Sequence, residues 1–157
     1  MVQVLLSDMD ATKRLGTRLG KALARHRPIP IFFCGDLGVG KTTLISALVK
    51  SLPGGMDAET SSPSFTLCNM YATTPPVAHY DLYRQETGSA DESLLDFLDE
   101  GRHLVLVEWA ERLLVSALPP DRIECAITAA VSDAESIRTV TLVPYGNAAA
   151  ALLLALF

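Results

Sequence analysis

The run Gly35-Asp36-Leu37-Gly38-Val39-Gly40-Lys41-Thr42 fits the pattern GxxxxGK[ST] in full. Residues of these types at this spacing suit one task, holding the phosphates of a nucleotide. A β-phosphate needs several backbone N–H donors converging on it, and glycines let the backbone wrap closely and take positive φ. A helix starting at the end of such a loop adds donors and a positive dipole end. Lys41 reaches the β- and γ-phosphates, and the Thr42 hydroxyl is a ligand for Mg²⁺. The loop residues Asp36, Leu37, Gly38, Val39 and Gly40, with Lys41, Thr42 and Thr43, are therefore the candidate nucleotide-binding residues. The loop alone does not choose among hydrolysis, phosphoryl transfer and switching.

A second, acidic half is expected. Leu104-Val105-Leu106-Val107-Glu108 is an apolar run ending in an acid. Where a parallel sheet carries the ligand beyond the carboxyl ends of its strands, such an acid holds Mg²⁺ directly or through water. The segment His79-Tyr80-Asp81-Leu82-Tyr83-Arg84 offers another acid at a strand end. Asp81 either orients an attacking water or forms a surface pair with Arg84. His79 reads as a packing or hydrogen-bonding residue rather than a catalytic one. Ser61-Ser62-Pro63-Ser64-Phe65-Thr66 is either a plain connection or a loop that senses the γ-phosphate through Ser64 or Thr66. Trp109, the only tryptophan, belongs to the core, to the site or to a partner surface.

These residues need elements to position them. Asp8 or Asp10 caps a helix running to about His26, with Ala11, Leu15, Leu19 and Leu23 on one face. Ile29 to Cys34 is a strand leading into the glycine-rich turn, and Lys41 to Leu52 is the helix after it, stopped by Pro53-Gly54-Gly55. Phe65 to Tyr71 and Val77 to Tyr83 read as strands around a turn at Thr74-Pro75-Pro76. A short amphipathic helix lies within Glu86 to Glu100, and Leu104 to Val107 is a strand buried on both faces. Arg122 to Thr128 and Ile137 to Val143 form a late antiparallel pair joined through Ser132-Asp133. The apolar tail from Ala148 to Phe157 is a docked helix: ten residues give about 15 Å, against roughly 30 Å for a bilayer core. Strands alternating with helices give an α/β fold of the P-loop NTPase-like kind: a mixed, mainly parallel sheet flanked by helices, with a late antiparallel strand pair and a C-terminal helix.

Length and composition agree. At 157 residues the whole chain, 1–157, is expected to form a single domain with a real core. A net charge of −5 argues against tight autonomous binding to nucleic acid, so any RNA role runs through a partner. Cys34, Cys68 and Cys125 are far apart without metal spacing and read as reduced, buried thiols of a cytoplasmic protein. The first residues lack the basic and apolar regions of a signal peptide, and no membrane association is expected.

Taken together, GDLGVGKTTL, SSPSFTL, HYDLYR and VEWAERL, in that order, resemble the TsaE (YjeE) family, the ATPase component of bacterial tRNA threonylcarbamoyladenosine biosynthesis. The resemblance spans nearly the whole chain. It implies slow, Mg²⁺-dependent ATP hydrolysis that depends on partners. Those partners are the threonylcarbamoyl-transferring enzyme of the pathway and its non-catalytic paralogue, with tRNA contacted only through the assembly. It places Lys41 on the phosphates and Thr42 and Glu108 on Mg²⁺, and makes Asp81 a catalytic or water-orienting carboxylate. Thr43, Thr66 and Trp109 match positions near the nucleotide or switch region. Two departures stand out. Ser62-Pro63-Ser64 replaces a common SPT, and Ser132-Asp133-Ala134-Glu135 replaces a Gly-Arg pair that many members carry near the nucleotide, with Arg138 close by. The alternative is a small P-loop metabolite kinase, but the stretch between Arg84 and Arg102 holds acids and no basic residue, a poor lid for phosphates. A GTP switch is disfavoured because no NKxD and no DxxG occur.

Overall fold

The computed structural model describes residues 1–89, 91–129 and 137–157. Seven strands form one sheet: β1 (Val2–Leu6), β2 (Ile31–Cys34), β3 (Cys68–Tyr71), β4 (Val77–Asp81), β5 (Leu104–Glu108), β6 (Arg122–Ala129) and β7 (Arg138–Tyr145), in the order β1-β7-β6-β2-β5-β4-β3. The central run β6-β2-β5-β4 is parallel throughout. The outer pairs β1-β7, β7-β6 and β4-β3 are antiparallel. β1, β2, β4, β5 and β6 thus share one direction, in line with the expected mixed, mainly parallel sheet.

Among the described residues, four α-helices cover the sheet: α1 (Met9–Leu23), α2 (Lys41–Ser51), α3 (Glu92–Glu100) and α4 (Gly146–Leu156). The strands alternate their side chains between two cores. Ile31 and Phe33 of β2 and Leu104 and Leu106 of β5 join Leu15, Leu19, Leu44, Leu48 and Leu152 on the side of α1, α2 and α4. Phe32, Val105 and Val107 face the other way, against Leu94 of α3 and Ala110 and Leu113 beyond β5. A strand buried on both faces must be apolar at every position, which explains the unbroken runs at 31–34 and 104–107. The tail is a docked helix, with Ala149, Leu152 and Leu153 buried. Among the described residues, no helix is long and apolar enough to cross a membrane.

Asp8 rather than Asp10 caps α1, its side chain accepting from the Ala11 N–H at 2.6 Å. That bond, helped by the Ser7 hydroxyl, holds the Asp8 carboxyl below the usual aspartate range. β1 was not expected. Its signal is the apolar alternation of Val2, Val4 and Leu6, which pairs with β7 from Val2↔Leu142 to Leu6↔Arg138. Several boundaries also move. The strand expected from Phe65 begins only at Cys68, because Leu67 takes φ 68° and its N–H bonds Pro63 O at 2.7 Å, closing a turn. α3 starts late, at Glu92, where the Asp91 side chain caps the Ser93 and Leu94 N–H groups. The expected junction at Ser132-Asp133, with Ala134 and Glu135, lies outside the described residues. All three cysteines are free thiols, but of the three expected to be buried only Cys125 is; Cys34 and Cys68, near the carboxyl end of β2 and at the start of the edge strand β3, are half-buried, and burial pushes Cys34 up to about 12.

Candidate functional site

Strand parity assembles the acidic half of the site. Odd residues of β4 and even residues of β5 point to the α2 face, and the register sets His79 beside Leu106 and Asp81 beside Glu108. Both acids stand at the carboxyl ends of neighbouring parallel strands, where an α/β sheet opens a crevice. β2 ends between β5 and β6, so the loop after it, residues 35–40, arrives over the same crevice. Gly35 takes φ 135°, and a Cβ there would lie 2.3 Å from Ile127 O of β6. Only glycine fits at this crossing, which is what lets the chain leave the sheet at that point.

A cavity of about 390 Å³ results, lined by Leu37 and Gly38 of the loop, by Gly40 to Thr43, by Ser62 and Ser64, by Asp81, Tyr83 and Arg84, and by Glu108 and Trp109. Asp81 is buried. It accepts from the Ser62 hydroxyl and, at Oδ1, from the Tyr83 N–H at 2.8 Å. The expected alternative of an Asp81–Arg84 surface pair does not hold: Arg84 instead lies over the Phe65 ring, 4.3 Å from its centroid. Glu108 is 2% exposed. The Thr42 hydroxyl donates to it, 2.9 Å from Oε1 and 3.0 Å from Oε2. His79 Nε2 lies 2.9 Å from the same Oε1.

Lys41 is 4% exposed and folds back on its own loop. Its Nζ donates to Gly35 O at 2.6 Å and Asp36 O at 2.9 Å, and stands 3.8 Å from the centre of the Trp109 ring. Burial lowers the pKa of this ammonium, while Glu108, Glu111, Asp81 and Asp36 pull the other way. Trp109 therefore belongs to the site as well as to the packing beneath it. It takes φ 60°, a costly conformation for a large side chain, and its ring tilts against Tyr83 with centroids 4.9 Å apart.

Not every expected residue converges. Asp36 is exposed and offers only its carbonyl to Lys41, and Val39 turns its side chain into the core. Thr66 is exposed, sits outside the cavity, and bonds Asn69 Oδ1 at 3.3 Å. The turn at Leu67 swings it toward β3, and Ser62 and Ser64 take the cavity wall in its place. Sequence reasoning places Arg138 close to the replaced Gly-Arg pair but gives it no contact. From the first position of β7 its Nε donates to Val39 O at 2.7 Å, bracing the glycine-rich loop from the antiparallel side. Only the β6–β7 pairing could have shown this, because the two residues are 99 positions apart.

Comparison with known proteins bears on this arrangement. A family profile described as "Threonylcarbamoyl adenosine biosynthesis protein TsaE" matches residues 6–138. The tRNA threonylcarbamoyladenosine biosynthesis protein TsaE of Nostoc sp. is 37% identical over 118 residues, covering 72% of this chain and 70% of the relative. The protein of the same name from Aquifex aeolicus is 35% identical over 111 residues, covering 70% and 77%. The crystal structure of Bacillus subtilis YdiB superposes with a TM-score of 0.75 at 27% identity, over 99% of this chain and 93% of that one. The profile match takes in the glycine-rich loop, both acidic strand ends and Trp109, and on that ground the chain belongs to the TsaE family of threonylcarbamoyl adenosine biosynthesis proteins.

Proposed function

We propose that this protein binds ATP·Mg²⁺ and hydrolyses it slowly in the cytoplasm, as the accessory ATPase of tRNA threonylcarbamoyladenosine formation. It works with the threonylcarbamoyl-transferring enzyme and its non-catalytic paralogue and meets tRNA only through them. The observation that carries the reading is the convergence of Lys41, Thr42, Asp81 and Glu108 on one cavity. The donor set fits the ion: the Thr42 hydroxyl and the Glu108 carboxylate put hard oxygen donors within 3.0 Å of one another, as Mg²⁺ requires. Mg²⁺, when bound, offsets charge on the phosphates.

The chain's own residues do the rest. The loop N–H groups and the first turn of α2 receive the phosphates. Lys41 exchanges the carbonyls of Gly35 and Asp36 for phosphate oxygens, leaving the Trp109 ring. Thr42 and Glu108 hold the metal. Asp81, the other carboxylate on the cavity wall, accepts a hydrogen bond from the attacking water and orients it. Since Trp109 is the only tryptophan and touches Lys41, its emission reports the exchange. Titrating ATP with Mg²⁺ should change Trp109 fluorescence saturably, and released phosphate should follow. Lys41→Ala should abolish productive binding or hydrolysis. A Lys41→Ala protein with wild-type affinity and turnover would sink the assignment.

A further inference from the structure

We infer that His79 is a positioning residue, holding the Glu108 carboxylate in the orientation in which it meets the metal. The inference rests on the ATP·Mg²⁺ reading above. His79 is wholly buried in the middle of β4, flanked by Ala78 and Tyr80. An apolar side chain would complete that strand without leaving a polar atom inside. Instead the imidazole spends its Nε2 on Glu108 Oε1, at 2.9 Å, across the parallel pair β4–β5. An ionised carboxylate only accepts, so Nε2 carries the hydrogen. Nδ1 is buried and has no partner among the described residues, so the bond to Glu108 is the ring's one polar contact there. Tyr71 stacks on the ring, with centroids 6.3 Å apart and planes 28° from parallel, and limits its rotation.

The consequence falls on Glu108. Its side chain has several rotamers, and in a polar cavity Thr42 alone would not select one. A donor fixed in the sheet pins Oε1 from behind, while the Thr42 hydroxyl, on the first turn of α2, spans both oxygens from the cavity side. When Thr42 turns its lone pairs to a metal, the bond from His79 still keeps the carboxylate facing the same way. Hydrogen-bond partners behind a metal ligand commonly govern about 10–100-fold in metal affinity.

The test uses Mn²⁺ as the probe metal, with affinity for the full-length protein measured by electron paramagnetic resonance at saturating ADP. His79→Phe keeps an aromatic ring, slightly larger, and removes the donor; His79→Gln keeps an N–H at similar reach. We expect His79→Phe to lose about 10–100-fold in Mn²⁺ affinity, with metal-free ADP affinity unchanged and His79→Gln recovering most of the loss. Wild-type Mn²⁺ affinity in His79→Phe would overturn the inference. So would a folded His79→Gln as weak as the Phe variant. Wild-type protein that binds no Mn²⁺ with ADP would instead bring down the ATP·Mg²⁺ reading, and this inference with it. Nitrogen-15 spectra of the wild-type imidazole keep the test open if a variant does not fold. Nε2 should be the protonated nitrogen and should shift when metal is added to the ADP complex. A ring protonated at Nδ1 only, or one blind to the metal, would refute the role.

Discussion

Asp81 and Glu108 sit side by side in register, and their hydrogen-bond partners differ. Asp81 accepts from the Ser62 hydroxyl and from the Tyr83 N–H, whereas Glu108 meets Thr42 and His79. In Asp81→Asn the amide oxygen still receives the Tyr83 N–H, so the turn after β4 survives. ATP binding should then be spared and hydrolysis slowed by about 10²–10⁴-fold, the usual range for removing a positioned proton acceptor. Equal binding with unchanged turnover would reduce Asp81 to a structural residue. Glu108→Ala has a double cost. It removes the expected metal ligand, and it strands the His79 N–H in the core, at about 1–3 kcal/mol for an unsatisfied buried donor. Mg²⁺-dependent activity should weaken more than Mg²⁺-free nucleotide affinity, with a lower melting temperature. Superimposable metal titrations of the variant and the wild type would show that Glu108 is no ligand.

Among the elements, the contact of α1 with α2 supports the loop, since α2 begins at Lys41 and carries Thr42 and Thr43 into the cavity. Gly20 allows the helices to touch: a Cβ there would lie 2.1 Å from Ser51 Oγ and 2.5 Å from the Leu48 carbonyl oxygen. Two effects of Gly20→Ala oppose each other. Alanine gains about 0.5–1 kcal/mol of helix propensity over glycine. Overpacking costs about 1–3 kcal/mol, and backbone at 2.5 Å cannot step aside as a flexible side chain does. Overpacking wins, so Gly20→Ala should be less stable in urea or thermal unfolding. A more stable variant would mean that α1 shifts off α2 freely.

Over the whole molecule, charge is divided between the two faces of the sheet. Six of the 13 basic residues, from Lys13 to Arg27, are exposed on or just beyond α1. The six acids between Glu86 and Glu100 gather on and before α3, which packs on the opposite core. Lys13–Asp10 and Arg27–Asp121 neutralise part of the basic side. Such segregation steers docking and makes it sensitive to salt. The protein alone should therefore hydrolyse ATP poorly, and adding the two partner proteins should raise turnover more at low than at high ionic strength. An arginine supplied in trans is worth about 10³–10⁵-fold in other enzymes of this chemistry. Turnover indifferent to the partners at either salt would refute the docking while leaving ATP binding by the loop intact.

Whatever depends on short spans was legible in the amino-acid sequence. The glycine-rich loop, the helix after it, the doubly buried strands and the acids at their ends follow from spacing and period within about ten residues. There, local propensity and burial point the same way. Its failures were contacts between distant segments. Of Ser64 and Thr66, the positive φ at Leu67 leaves Ser64 on the cavity wall and turns Thr66 toward Asn69. The short N-terminal β1 was legible only as a faint alternation, because an edge strand takes its stability from its neighbour, β7. Arg138 against Val39, His79 against Glu108 and Lys41 over Trp109 are 99, 29 and 68 positions apart, and no periodicity connects them. Strand order and parity created those pairs, because which side chains share a crevice depends on which strands are neighbours and which face each residue takes in the register.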